Sequence, residues 1–148
     1  MRPAEVWGRA PACVTLDRVH IPGLSFDVRD DGVTWRRTNQ PGVAWLPLHF
    51  EPGAGPESPA TVLIRMDPGT GYPAHEHLGV EDVLVLQGGY VDEFGEHRKG
   101  EYVRYPAGSR HAPVALGRSD LPPGPSNPPC LLFAVARGGV RSIGSAAR

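Results

Sequence analysis

This sequence predicts an all-β chain folded as an antiparallel sandwich or barrel, and three observations carry that expectation. Glycine (19) and proline (17) are spread along the 148 residues and interrupt helical patterns before any reaches about ten residues. Short apolar or alternating runs recur between clusters of turn residues. In one of them, "EDVLVLQ" (81–87), inward and outward positions alternate with the period of two that a pleated strand imposes.

The candidate strands are taken in order. Residues Val14 to Val19 ("VTLDRV"), Gly32 to Thr38 ("GVTWRRT") and Ala44 to Phe50 ("AWLPLHF") occupy the N-terminal third. "FEPGAGPESPA" (50–60) then reads as a surface loop. Thr61 to Met66, Glu81 to Leu86, Gly89 to Val91, Gly100 to Tyr105 and Leu131 to Ala136 follow. Between Gly89 and Tyr105 the segment "VDEFGEHRKG" reads as a hairpin with His97 near its solvent-exposed tip. "LGRSDLPPGPSNPPC" (116–130) carries too much proline to pair in a sheet and is expected to be a wandering connection rather than a lid. The length suits one domain with a real core and leaves little room for two.

Composition narrows the function classes. Fifteen basic and sixteen acidic residues are mixed along the chain, for a formal net charge of −1, so no electrostatic footprint for nucleic acid is present. A small-molecule partner is expected instead. The longest strongly apolar run, Leu131 to Ala136, is far short of the roughly 20 residues of a membrane-spanning helix. Glu5 interrupts any secretory-type start, and a cytoplasmic location with no membrane contact is expected. Cys13 and Cys130 have no CxxC spacing and read as free thiols in or near the core.

The segment "PAHEHLGVEDVLVLQGG" (73–89) concentrates the chemistry. Residues two apart on a strand share a face, so an extended "AHEH" turns His75 and His77 to the same side. Continued alternation puts Glu81, Val83, Val85 and Gln87 on one face. A further imidazole, His111, follows the turn at the end of "GEYVRYPAGSRH". Three imidazoles and a carboxylate can surround one divalent cation and leave positions open for water or substrate. Such a donor set suits Fe(II), Mn(II), Ni(II) and Zn(II).

The spacing of these residues resembles the cupin superfamily. Gly69, His75, His77, Glu81 and Gly88 match the fixed positions of its first motif, and Gly100, Pro106, Gly108 and His111 those of its second. Ala115 stands where the second motif often ends in Asn. The resemblance implies a double-stranded β-helix, a small jelly-roll barrel, with metal held by His75, His77, Glu81 and His111. It places residues 1–57 as N-terminal strands and loops and 58–140 as the metal-binding core of a single domain over 1–148. A narrower likeness, over 61–113, is to the ChrR-type cupins, carried by "VDEFG" and "YVRYPAGSRHAP". That group includes the metal-binding domain of an anti-sigma factor and stand-alone enzymes similar to acetylacetone-cleaving dioxygenase.

The resemblance implies an Fe(II)-dependent oxygenase that uses O2 on a small carbonyl- or enol-bearing molecule, with C–C cleavage as one outcome. Acetylacetone-cleaving enzymes use three histidines without a glutamate, so Glu81 is a departure. The alternatives are a non-catalytic zinc-binding sensor module and a redox-inert isomerase or lyase. For the sensor, residues 1 to 60 offer only Cys13, His20 and His49 as soft ligands, at spacings no zinc motif uses. For the isomerase, His49, Tyr72, Tyr102 and Tyr105 are candidate bases. Gln87, Arg65, Arg104 and Phe133 are candidate substrate contacts, with an ion pair across neighbouring strands as the competing role for the two arginines. Trp35 and Trp45 are read as core or dimer contacts. A homodimer, in which the N-terminal strands cover a partner's barrel edge, is the expected assembly.

Overall fold

A computed structural model describes residues 34–51, 53–55 and 57–144. The expected strand Val14 to Val19, the start of the one at Gly32 to Thr38, Cys13 and His20 lie outside the described residues. In chain order the strands are β1 (Arg36–Arg37), β2 (Val43–Phe50), β3 (Ala60–Met66), β4 (His75–His77), β5 (Glu81–Gln87) and β6 (Gly89–Asp92). They continue as β7 (Gly95–Arg98), β8 (Tyr102–Tyr105), β9 (Arg110–His111), β10 (Val114–Ala115), β11 (Cys130–Ala136) and β12 (Val140–Ser142). Six form one sheet in the order β1-β2-β3-β11-β5-β8, while β10-β6-β7 and β12-β4-β9 form two smaller sheets. Every one of these pairings is antiparallel. No helix long and apolar enough to cross a membrane occurs among the described residues.

The core follows from period-two patterning. In β11 the residues Cys130, Leu132, Ala134 and Ala136 are buried, while Leu131, Phe133 and Val135 between them are only partly so. Val62 and Met66 of β3 and Val83 and Val85 of β5 join them, with Tyr90, Tyr105 and Ala115 from outside the central strands. Residues that fill the interior therefore alternate with residues that face away from it. Pro47, which has no N–H to give, sits in β2 beyond Ala44 and Trp45, the only two positions that β1 pairs.

Turn geometry holds the motif glycines in place. Gly69, Gly88, Gly100 and Gly108 all adopt positive φ, at 71°, 64°, 91° and 83°, a region costly for residues with a Cβ. Gly79 and Gly138 are needed for a different reason: a Cβ on Gly79 would lie 2.6 Å from the Gly138 nitrogen, and one on Gly138 2.4 Å from the Gly79 nitrogen. This contact presses the β4–β5 turn onto the β11–β12 turn, directly before Glu81.

Three expectations need correction. The alternation through β5 breaks where Leu132 faces Val85 but Leu131 faces Gln87. Leu86 is thus an extra residue, a β-bulge that resets the strand, and Gln87 emerges exposed with its Nε2 donating to the Pro129 carbonyl at 3.0 Å. His97 is not at a hairpin tip. It lies within β7, paired opposite Tyr90, with its ring 4.8 Å from the Tyr90 ring and its side chain only 15% exposed. The proline-rich connection is pinned rather than wandering: buried Asn127 donates to the Arg118 and Leu121 carbonyls at 2.9 and 3.1 Å and accepts the Arg118 amide at 3.0 Å.

Candidate metal centre

β4 delivers two imidazoles to the barrel interior because residues two apart share a face. His75 and His77 are both buried, and Glu76 between them turns out to pair with Arg110 at 3.3 Å. Residues 78–80 bend the chain without reversing it, since His77 opposite Val140 and Glu81 opposite Ala136 keep one register, and Glu81, first residue of β5, meets His77 with Oε2 3.0 Å from Nε2. β9 lies beside β4 with His111 directly opposite His75. Their Nε2 atoms are 2.9 Å apart, and those of His75 and His77 3.2 Å. The structure thus brings together all four residues expected from the sequence, with their ligating atoms within 4.8 Å of one another.

Which nitrogen carries the proton follows from the partners on the other side of each ring. His75 Nδ1 lies 2.8 Å from the Pro73 carbonyl, which can only accept. His111 Nδ1 lies 2.8 Å from the Asp92 carboxylate Oδ2. His77 Nδ1 lies 2.9 Å from Ser109 Oγ, and that hydroxyl already donates to the Pro106 carbonyl at 2.6 Å, so His77 must be the donor. In its neutral form each of the three rings is therefore the Nδ1–H tautomer, with the Nε2 atoms gathered beside Glu81. Burial also lowers the His75 pKa to about 4 and moves that of His111 downward, so neither ring escapes the crowding by charging at neutral pH.

A divalent cation resolves that arrangement, because buried lone pairs and a carboxylate aimed at one point are costly without one. The spacing fits as well. Ligand bonds of about 2.1 Å at right angles place neighbouring donor atoms about 3.0 Å apart, and the His75–His111, His77–Glu81 and His75–His77 separations are 2.9, 3.0 and 3.2 Å, with all four atoms within 4.8 Å.

Behind His111 lies a polar network that sequence reasoning missed. Asp92, read there only as a residue of the hairpin, has a fully buried side chain. Its Oδ2 accepts from His111 and, at 2.5 Å, from Tyr105, whose hydroxyl is 2.6 Å from that of Tyr90. Its Oδ1 accepts the Phe94 amide at 2.8 Å and faces His97 Nε2 at 3.3 Å. Burial alone would raise the Asp92 carboxyl, but the hydrogen bonds from His111, Tyr105 and the Phe94 amide outweigh it and hold its pKa below the ordinary value. Its place in "VDEFG" was the available signal, yet no spacing rule links that residue to His111.

A cavity of about 550 Å³ opens beside the ligands, with Glu81 and Tyr72 in its wall and Trp45, Phe50, Val62 and Ile64 supplying apolar surface. Trp45 packs on Phe50 with ring centroids 5.3 Å apart, and the Arg36 guanidinium lies 5.1 Å from the Trp45 ring centroid. Trp45, expected as a core or dimer contact, packs against the core and also lines the cavity. Of the candidate bases only Tyr72 reaches it. His49 is exposed against Glu51 at 3.2 Å, Tyr102 donates to Asp82 at 2.5 Å, and the Tyr105 hydroxyl is committed to Asp92. Burial, reinforced by Glu81, pushes the Tyr72 pKa up and keeps its hydroxyl protonated.

None of the four nominated substrate contacts faces the centre. Gln87 is turned out by the bulge at Leu86. Arg65 alternates with the inward Ile64 and Met66 and pairs with Asp67 at 2.9 Å. Arg104 is exposed and pairs across the strands with Asp82 at 3.2 Å. Phe133 lies between the inward Leu132 and Ala134 and so projects from the opposite face of β11.

Comparison with known proteins agrees with this geometry. In a chain of the Rhodobacter sphaeroides SigE complex with the anti-sigma ChrR, the match has 29% identity and a TM-score of 0.53, and covers 70% of this chain and 48% of that one. The chain thus spans about half the length of that relative. An acetylacetone dioxygenase from Acinetobacter johnsonii matches at 14% identity and a TM-score of 0.64 over 92% of this chain and 88% of that one. The polyketide cyclase RemF from Streptomyces resistomycificus matches at 22% identity and 0.57 over 83% and 88%. No curated protein matches in sequence. The profile of the ChrR cupin-like domain matches residues 25–120, and with the antiparallel strands and the His75, His77, Glu81 and His111 cluster in place, the chain belongs to the ChrR cupin-like family.

Proposed function

We propose that this protein is an Fe(II)-dependent cupin oxygenase acting on a small carbonyl- or enol-bearing organic molecule, with O2 as co-substrate. The observation that carries the reading is the convergence of three imidazole Nε2 atoms on Glu81, which itself lines a cavity of about 550 Å³. That volume falls within the range of small-molecule sites. His75, His77, Glu81 and His111 would hold the metal. Bound Fe(II) supplies redox chemistry and Lewis acidity toward substrate oxygen atoms.

The remaining work belongs to the chain's own residues. Trp45, Phe50, Val62 and Ile64 exclude water from one side of the centre and orient an apolar substrate body. Tyr72, with its ring 5.1 Å from that of His75, keeps its proton and donates to a substrate oxygen at the cavity wall. Glu81 lines the cavity as well as the ligand cluster, so of the four residues that would hold the metal it is the one placed to meet a substrate bound in that cavity.

A second reading has its own support. The likeness at 29% identity to a chain of the SigE and ChrR complex favours a zinc-binding sensor module that catalyses nothing. Oxygen uptake separates the two. Fe(II)-loaded protein is mixed with a panel of β-diketones and hydroxy-ketones in an oxygen electrode. Consumption that depends on Fe(II) and disappears in His111→Ala is the expected result. Tightly held zinc with no uptake on any panel member would overturn the oxygenase in favour of the sensor.

A further inference from the structure

We propose that Asp92 is the positioning residue of the metal centre: it selects the ligating tautomer of His111 and thereby sets metal affinity. The inference rests on the reading of His75, His77, Glu81 and His111 as ligands. His75 and His77 are held by neutral acceptors, a carbonyl and a hydroxyl. His111 alone is backed by a carboxylate, at 2.8 Å. A carboxylate on the far nitrogen both orients a ligating imidazole and raises its basicity toward the metal.

The hydrogen bonds around Asp92 run in one direction. Tyr90 donates to Tyr105, which donates to Oδ2; His111 donates to the same oxygen; the Phe94 amide and His97 face Oδ1. Four donors meet the roughly four lone-pair sites of one carboxylate. Three of these donors can adapt, because a hydroxyl rotates and an imidazole changes tautomer. The Phe94 N–H cannot.

That asymmetry decides what Asp92→Asn does. The Asn oxygen must face the fixed Phe94 amide, so its NH2 group faces Tyr105 and His111. His111 then accepts at Nδ1 and moves its proton to Nε2, the atom that would bind the metal. Removing such a backing group lowers metal affinity by roughly 10- to 100-fold.

The test has two readouts. Imidazole nitrogen shifts of metal-free protein at neutral pH report the tautomer directly. His111 as the Nδ1–H form in the parent chain and as the Nε2–H form in Asp92→Asn is the expected result, with Tyr105→Phe unchanged from the parent. Chelator competition with Co(II) should then show affinity reduced 10- to 100-fold by Asp92→Asn. An Nε2–H tautomer in the parent chain overturns the proposal even if Asp92→Asn fails to fold, and so does an affinity within twofold of the parent in a folded variant. If the parent tautomer is as expected but the parent takes up no Co(II), the failure lies with the metal reading and not with Asp92.

Discussion

Replacing Tyr105 and Tyr90 with Phe, singly and together, should give stability losses that fail to add. Both rings are almost fully buried, at 2% and 1% exposure, and their hydroxyls lie 2.6 Å apart. Tyr90→Phe removes one neutral buried hydrogen bond and leaves Tyr105 still bonded to Asp92, for a cost of about 1 kcal/mol. Tyr105→Phe removes a bond to a charged acceptor, about 2 kcal/mol, and orphans the buried Tyr90 hydroxyl, for a total of about 3 kcal/mol. In the double variant no hydroxyl is left without a partner, so the cost falls back to about 2 kcal/mol, against a sum of about 4 for the two single changes. Urea unfolding of the four metal-free proteins, with equal m-values, measures all of these terms. Losses that add to within about 0.5 kcal/mol would refute the directional chain from Tyr90 through Tyr105 to Asp92.

Other consequences are as direct. Glu81→Ala and His111→Ala should each reduce metal occupancy, read by elemental analysis after identical purification; full occupancy and unchanged thermal stability in both would sink the four-ligand site. In metal-free protein the His75 pKa lies near 4 in the fold, below its ordinary value. The unfolded chain therefore binds more protons, and stability should fall as the pH drops from about 6.5 toward 4, by up to about 3 kcal/mol. Denaturant titrations at pH 7 and pH 4.5 should show a smaller loss for His75→Gln than for the parent, and an equal loss in both would contradict the assignment. Cys130 is fully buried, and burial pushes its thiol up to about 12. Alkylation mapped by mass spectrometry at pH 8 should leave it unmodified until denaturant is added, and rapid labelling in the native state would contradict its place in the core.

The ligands were legible in the sequence because their constraints are local. His75 and His77 follow from strand period, and Glu81, His111 and the motif glycines from fixed spacing around tight turns whose positive φ the structure bears out. The long strands β2, β3, β5 and β11 were legible through apolar patterning over seven or eight residues. Strands β9 and β10, two residues each, are too short for a period to register. Gln87 was misplaced because a bulge depends on the partner strand: nothing in "EDVLVLQ" says that β11 will skip Leu86. Asp92 was missed for a related reason. Its role is set by Tyr105 and His111, 13 and 19 residues further on, and by the amide of Phe94, so its own neighbourhood reads only as a turn.

Everything proposed for this protein depends on one divalent metal ion held by His75, His77, Glu81 and His111. Element-resolved analysis of tag-free protein, purified without added metal and under exclusion of oxygen, tests it most directly. One equivalent of a single transition metal per chain, iron on the oxygenase reading, is the expected result. Protein that carries no metal and takes up none of Fe(II), Mn(II), Ni(II) or Zn(II) on titration would contradict it.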